Sequence, residues 1–229
     1  MTGGAGCAGR IGLLVRATQW LAVALAVASG PASAGAGQAG PDWLIVPGVR
    51  VGAITRTAGE LDLVRAYGLG NVRNQSVHVG EGIAERGTVV FPDDPTRAAA
   101  VLWKDLQNNR VPERVQITGQ RTLWRTTQGI TLGTSLKEIE RMNGGPFALT
   151  GFGWDYGGTI VAWMQGRLER EFTQGGRIIL RLRPAGRSPA AGAARRLIAS
   201  VSGDRVFRSS HSAMRQINPH VYQMIIEFR

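Results

Sequence analysis

From Trp43 onward the chain is written in short apolar runs separated by glycine, proline, aspartate or asparagine. The first, WLIVPGVRVGAIT (43–55), is rich in β-branched residues and is broken by Pro47-Gly48, which predicts short strands around a turn. The period then changes. In TAGELDLVRAYG (57–68), Leu63, Val64 and Tyr67 fall on one helical face, and Thr57 and Glu60 stand at capping-box spacing. Gly68 supplies a left-handed stop, so a helix of about three turns is predicted over 58–67.

The same pattern recurs in ITLGTSLKEIERMNG (130–144). Ser135 and Glu138 repeat the capping box, Leu136, Ile139 and Met142 form the apolar stripe, and Gly144 closes a helix over 135–143. Aligned without gaps on ITRTAGELDLVRAYG (54–68), it is identical at Ile54/Ile130, Thr55/Thr131, Arg65/Arg141 and Gly68/Gly144, although the two capping boxes lie two residues out of that register. Strand-like runs follow each helix. After the first come QSVHV, GTVVF, AAAVLWK and ERVQITG; after the second come FALTGFGWDY, GTIVAW, RIILRLR, RLIASV and VYQMIIEF. FPDDPTR (91–97) reads as a loop, RPAGRSPAAGAA (183–194) as a flexible loop of low complexity, and HSAMRQINP (211–219) as one helical turn ended by Pro219. The predicted class is α+β: two tandem helix-plus-antiparallel-meander repeats, 43–122 and 123–229, in which each helix covers one face of its sheet.

Ahead of this region stands an export signal. Arg10 and Arg16 make a positive start, WLAVALAVASG supplies an apolar core, and Pro31 with Ala32-Ser33-Ala34 supplies the break and small residues of a cleavage site. Residues 1–34 are therefore expected to be removed near Ala34, residues 35–42 to form a linker, and the protein to be periplasmic or secreted. Cys7, the only cysteine, precedes the apolar run, where a lipid-bearing cysteine would follow it. The mature chain then holds neither disulfide nor thiol nucleophile.

The net charge of +11 falls to +9 without Arg10 and Arg16. Only Lys104 and Lys137 are lysines, and the arginines are dispersed. Beside so much alanine and glycine this reflects a GC-rich genome. A nucleic-acid partner is not expected; at most, weak contact with an anionic membrane surface is.

Chemistry leaves few marks. The three histidines, His78, His211 and His220, form no metal-binding pair, and no nucleophile elbow or phosphate loop is present. No cofactor, metal or catalytic residue is assigned. Glu81 lies between glycines in VGEG, and Asp93-Asp94 between two prolines, as turn residues do. A carboxylate pair assembled in space from Glu81, Asp94 and Asp155 would make the chain an envelope hydrolase, which is the alternative reading.

The stretch GITLGTSLKEIERMNGGPF resembles the I-x-x-G-x-(S/T)-x-x-E-(V/I)-x-x-x-x-G-x-P signature of small bacterial envelope domains of the β-lactamase-inhibitor-like type, which include the small lipoprotein of the outer-membrane barrel-assembly machinery. Gly133, Ser135, Glu138, Ile139, Gly144 or Gly145, and Pro146 carry the match. PERVQI, GITLGT, NGGPF and GFGWDYGGT are similar to a family of exported bacterial proteins without assigned function, a resemblance that covers most of 43–229. The first resemblance, over about forty residues around the second helix, implies a helix-plus-sheet repeat and a role in protein contacts rather than catalysis. The missing lipid-bearing cysteine departs from the lipoprotein.

GFGWDYGGT (151–159) is the densest aromatic stretch. Phe152, Trp154 and Tyr156 alternate with Gly153 and Asp155, which predicts a strand with its aromatics on one face, Asp155 on the other and a hairpin turn at Gly157-Gly158. Two readings stay open: an aromatic core layer beneath the second helix, or a contact surface. On the second, Trp154, Asp155, Tyr156 and Glu81 are the candidate binding residues of a periplasmic binding or scaffold module with an envelope protein as partner.

Overall fold

The computed structural model describes residues 42–173, 175–185 and 192–228. The expected leader, the linker before Asp42 and residues 186–191 of the expected loop lie outside them. The chain is α+β, with five α-helices and three sheets among the described residues.

Three short strands come first, β1 (Leu44–Val46), β2 (Arg50–Val51) and β3 (Ile54–Thr55), turning at Pro47-Gly48 as the apolar pattern predicts. Helix α1 (Glu60–Tyr67) follows and buries Leu63 and Tyr67. Its cap differs from the predicted one. Asp62 Oδ2, not the Glu60 side chain, accepts the backbone amide at the helix start, from Gly59 at 2.9 Å. The Glu60 carboxylate turns instead to Thr88 Oγ1 (3.0 Å) and Asn74 Nδ2 (3.1 Å), which draw it away from the helix end. Gly68 has φ 88° but an extended ψ of 146°, so it stops the helix without a left-handed cap.

An antiparallel meander comes next: β4 (Val72–Gly80), β5 (Ile83–Val90), β6 (Ala99–Asp105) and β7 (Arg110–Thr118). Strand β8 (Arg125–Thr126) returns to pair in parallel with β1, giving a sheet of order β3-β2-β1-β8. Helix α2 (Leu136–Asn143) has the predicted ends. Ser135 N–H donates to Glu138 Oε2 at 2.8 Å, and Gly144 adopts the left-handed conformation (φ 78°, ψ 12°). The remaining elements are β9 (Ala148–Thr150), β10 (Ile160–Ala162), α3 (Arg167–Thr173), β11 (Gly176–Arg183), α4 (Gly192–Ser200), β12 (Val206–Arg208), α5 (Ser212–Ile217) and β13 (His220–Phe228). RLIASV, expected as a strand, lies mostly in α4, and 192–194 of the expected loop begin that helix.

The strands after α2 divide between two sheets. β9 is central in β10-β9-β12, whereas β11 and β13 extend the meander to β11-β13-β7-β6-β5-β4. Strand parity gives this six-stranded sheet two unlike faces. One register row reads Ile178–Ile226–Val115–Val101–Thr88–Asn74 and points mostly into the core with Trp103, Trp124, Phe147, Leu136 and Ile139. The next row, Ile179–Ile225–Gln116–Ala100–Val89–Arg73, points the other way. That second face carries the candidate site.

Candidate functional site

The second face forms a groove of about 690 Å³, within the range of roughly 300–1,000 Å³ usual for small-ligand sites. Its floor includes Ala100, Val89, Gln116, Thr118 and Gln223, and its walls include Ser76, His78, Arg181, Arg183 and Tyr222. On this face Val77 and Leu102 are buried, and they close over Gly87, which leaves no room for a side chain. A Cβ there would lie 2.7 Å from the Val101 carbonyl oxygen and 2.9 Å from Val77 Cγ2.

GFGWDYGGT closes one end of the groove, and it is not an alternating strand. β9 ends at Thr150, and the segment proceeds by turns. Phe152 is buried at 5 % exposure, whereas Trp154 is 40 % exposed and Tyr156 half-buried. The alternation fails because the backbone folds back on itself. Gly157 N–H donates to the Trp154 carbonyl at 2.9 Å, and the Trp154 indole N–H reaches the Gly151 carbonyl at 3.2 Å. Gly158 (φ 72°) is pressed on β11, where Leu182 N–H donates to its carbonyl at 2.9 Å and a Cβ would strike the Leu182 carbonyl. The segment therefore serves both the core and the surface: Phe152 joins the first, Trp154 and Tyr156 stand edge-to-face at the second with ring centroids 5.6 Å apart.

From this platform Asp155 reaches across to the turn after β4. Its Oδ2 accepts the Glu81 N–H at 2.6 Å, and the Tyr156 ring lies against Gly80. β4 and β11 are the two edge strands of the six-stranded sheet, so the loop clasps one edge to the other. Glu81, itself at φ 53°, meets Asp155 through its backbone amide. Asp155 lines the groove with Arg181 and Arg183. Asp94, the third member of the carboxylate set considered from sequence, is brought to neither. It is tied into its own loop by Thr96 and Arg97, whose hydrogen bonds hold its pKa down at about 2.

The groove's cations were not singled out by motif. Arg181 Nη1 donates to Gln223 Oε1 at 2.9 Å, and its guanidinium lies over the Tyr156 ring at 5.0 Å. Arg183 lies over Tyr222 at 5.3 Å. Among the described residues neither has a carboxylate at ion-pair distance, although Arg50, Arg65, Arg73, Arg97, Arg114 and Arg215 all do. Arg181 Nε is buried without an acceptor. Gln116, 5 % exposed, turns its amide to the groove with no side-chain hydrogen bond to a described residue. The available signal was the alternation in RIILRLR: with Ile178, Leu180 and Leu182 in the core, Arg181 and Arg183 must share the opposite face.

The histidines divide. His78 lines the groove, His211 Nδ1 accepts the Ala213 N–H at 3.2 Å at the start of α5, and His220 pairs with Arg183 across β13 and β11. Burial, aided by the Arg183 charge, holds His220 below the ordinary imidazole pKa. Compared with protein-family models, with curated proteins and with solved structures, the chain matches none.

Proposed function

We propose that this chain is an exported, non-catalytic binding protein of the bacterial envelope, and that its recognition surface is the groove on the second face of the six-stranded sheet. The observation that supports this most directly is Gln116. Its side chain opens to the groove and makes no hydrogen bond to a described residue, so a ligand there would find both an amide donor and an amide acceptor available. The aromatic clasp contributes in kind: Asp155 lines the groove, and the Tyr156 ring, edge-to-face on Trp154, backs two of its lining residues, Gly80 and Arg181.

The test is to block the floor. Ala100→Trp fills the groove from a partly exposed position on β6. Wild type is expected to capture an envelope component that Ala100→Trp loses while melting at a similar temperature. Equal capture by both would remove the groove from the account. Export is tested separately: intact mass of the exported pool should give a chain beginning at Gly35 or a near neighbour, and retention of Met1 would contradict it.

We further read 43–122 and 123–229 as diverged copies of one helix-plus-meander unit of the β-lactamase-inhibitor-like kind. Support comes from equivalent positions. Ile54 and Ile130 are both fully buried, as are Leu63 and Ile139. In each helix an acid at the third position reaches back to the preceding cap residue, Asp62 to Gly59 and Glu138 to Ser135.

A further inference from the structure

We infer that Arg181 and Arg183 form the binding site for an oxyanion, a carboxylate or phosphate group carried by the groove's ligand. This rests on the groove being the recognition surface. Both guanidiniums stand on one side of β11 and line the groove, and both are held against aromatic rings, Tyr156 and Tyr222. Gln223 fixes the orientation of Arg181 through Nη1. A planar fork held in this way loses little freedom on binding and matches the paired oxygens of a carboxylate or phosphate.

Charge balance argues in the same direction. The described residues place no ion-pairing acid on either guanidinium. Asp155 is the one carboxylate among the residues lining the groove, and one of its oxygens already accepts the Glu81 amide. The floor adds the neutral donors Gln116, Thr118 and Gln120. Asp155 would repel a second negative group, so a ligand with one anionic end fits better than a polyanion. The net charge, +9 once Arg10 and Arg16 are removed with the leader, favours the encounter at low ionic strength.

The test is a heteronuclear NMR titration of the protein with inorganic phosphate and, separately, with acetate, following the arginine Nε–H resonances. Saturable shifts at Arg181 and Arg183 are expected for at least one probe, and the stronger binder identifies the group as phosphate or carboxylate. The double variant Arg181→Gln/Arg183→Gln should bind about tenfold more weakly or worse. Arg181→Lys/Arg183→Lys keeps both charges and guards against misfolding; it should also weaken binding, because the fork is lost. A charge-matched control, Arg170→Gln/Arg196→Gln on exposed helix faces, should bind as wild type does. The inference is overturned if neither probe gives saturable shifts, if the lysine variant binds as wild type does, or if the control loses binding equally. Absence of anion binding together with capture that Ala100→Trp abolishes would discard the oxyanion site and keep the groove.

Discussion

Asp155→Ala should loosen the groove without unfolding the protein. The carboxylate makes one hydrogen bond across the clasp, 2.6 Å to the Glu81 amide, and both residues are exposed. A hydrogen bond to a charged group contributes about 1.5–3 kcal/mol when sheltered, and exposure to water brings this one down to about 1 kcal/mol. In a domain of this size that lowers the melting temperature by about 2–4 °C. The local effect should be larger than the global one. Glu81 holds a positive φ of 53° between Gly80 and Gly82, both also at positive φ, and Asp155 is what secures the amide of that turn. Hydrogen exchange at Glu81 should accelerate by about the same free energy, roughly fivefold, while core amides such as those of Val101 and Ile226 keep their protection. An unchanged Glu81 exchange rate, or a melt as low as that of a core-cavity variant, would refute the clasp.

Phe152→Ala should cost ~3–5 kcal/mol as a core deletion, and Trp154→Ala, with a 40 % exposed ring, only about 1–2 kcal/mol; equal urea-midpoint losses would restore the alternating strand. Gly87→Val should destabilise by about 1–3 kcal/mol, because the added side chain meets the Val101 carbonyl and Val77; an unshifted midpoint would show that Val77 and Leu102 do not close over that position. His220 has a depressed pKa in the fold, so the unfolded chain takes up its proton first on acidification. The stability tied to the neutral ring is therefore complete above about pH 6.5 and declines as pH falls through the folded value. His220→Gln should flatten that part of the melting profile, and an identical profile would contradict the assignment.

Much of this architecture is legible locally. Ser135, Glu138 and Gly144 mark α2 because caps and left-handed stops are set by neighbouring residues. The meander strands follow from their apolar runs. What the chain hides depends on partners distant in sequence. Glu60 looked like a capping acid, yet Thr88 and Asn74, far along the chain, recruit it. Phe152, Trp154 and Tyr156 alternate in period two, but close contact of Gly158 with Leu182 turns the backbone before a strand can form. RLIASV is strand-like by composition, while Ala193, Ala194 and Arg195 before it favour the helix that forms. At the site, Asp155 and Glu81 were legible as candidates, and the structure joins them by one hydrogen bond. Gln116, Gln223, Arg181 and Arg183 were not, because only the pairing of β7, β13 and β11 sets them side by side.

The central claim is that recognition takes place in the groove beneath the aromatic clasp. A crystal structure of the protein with the component it captures from envelope extract tests it most directly. The account predicts the bound component along the groove floor, with an acidic group at Arg181 and Arg183 and a hydrogen bond to the Gln116 amide. A component seated elsewhere, for example beside Lys137, Arg141 and Arg215 in the separate hollow next to α2, with the groove unengaged, would contradict it.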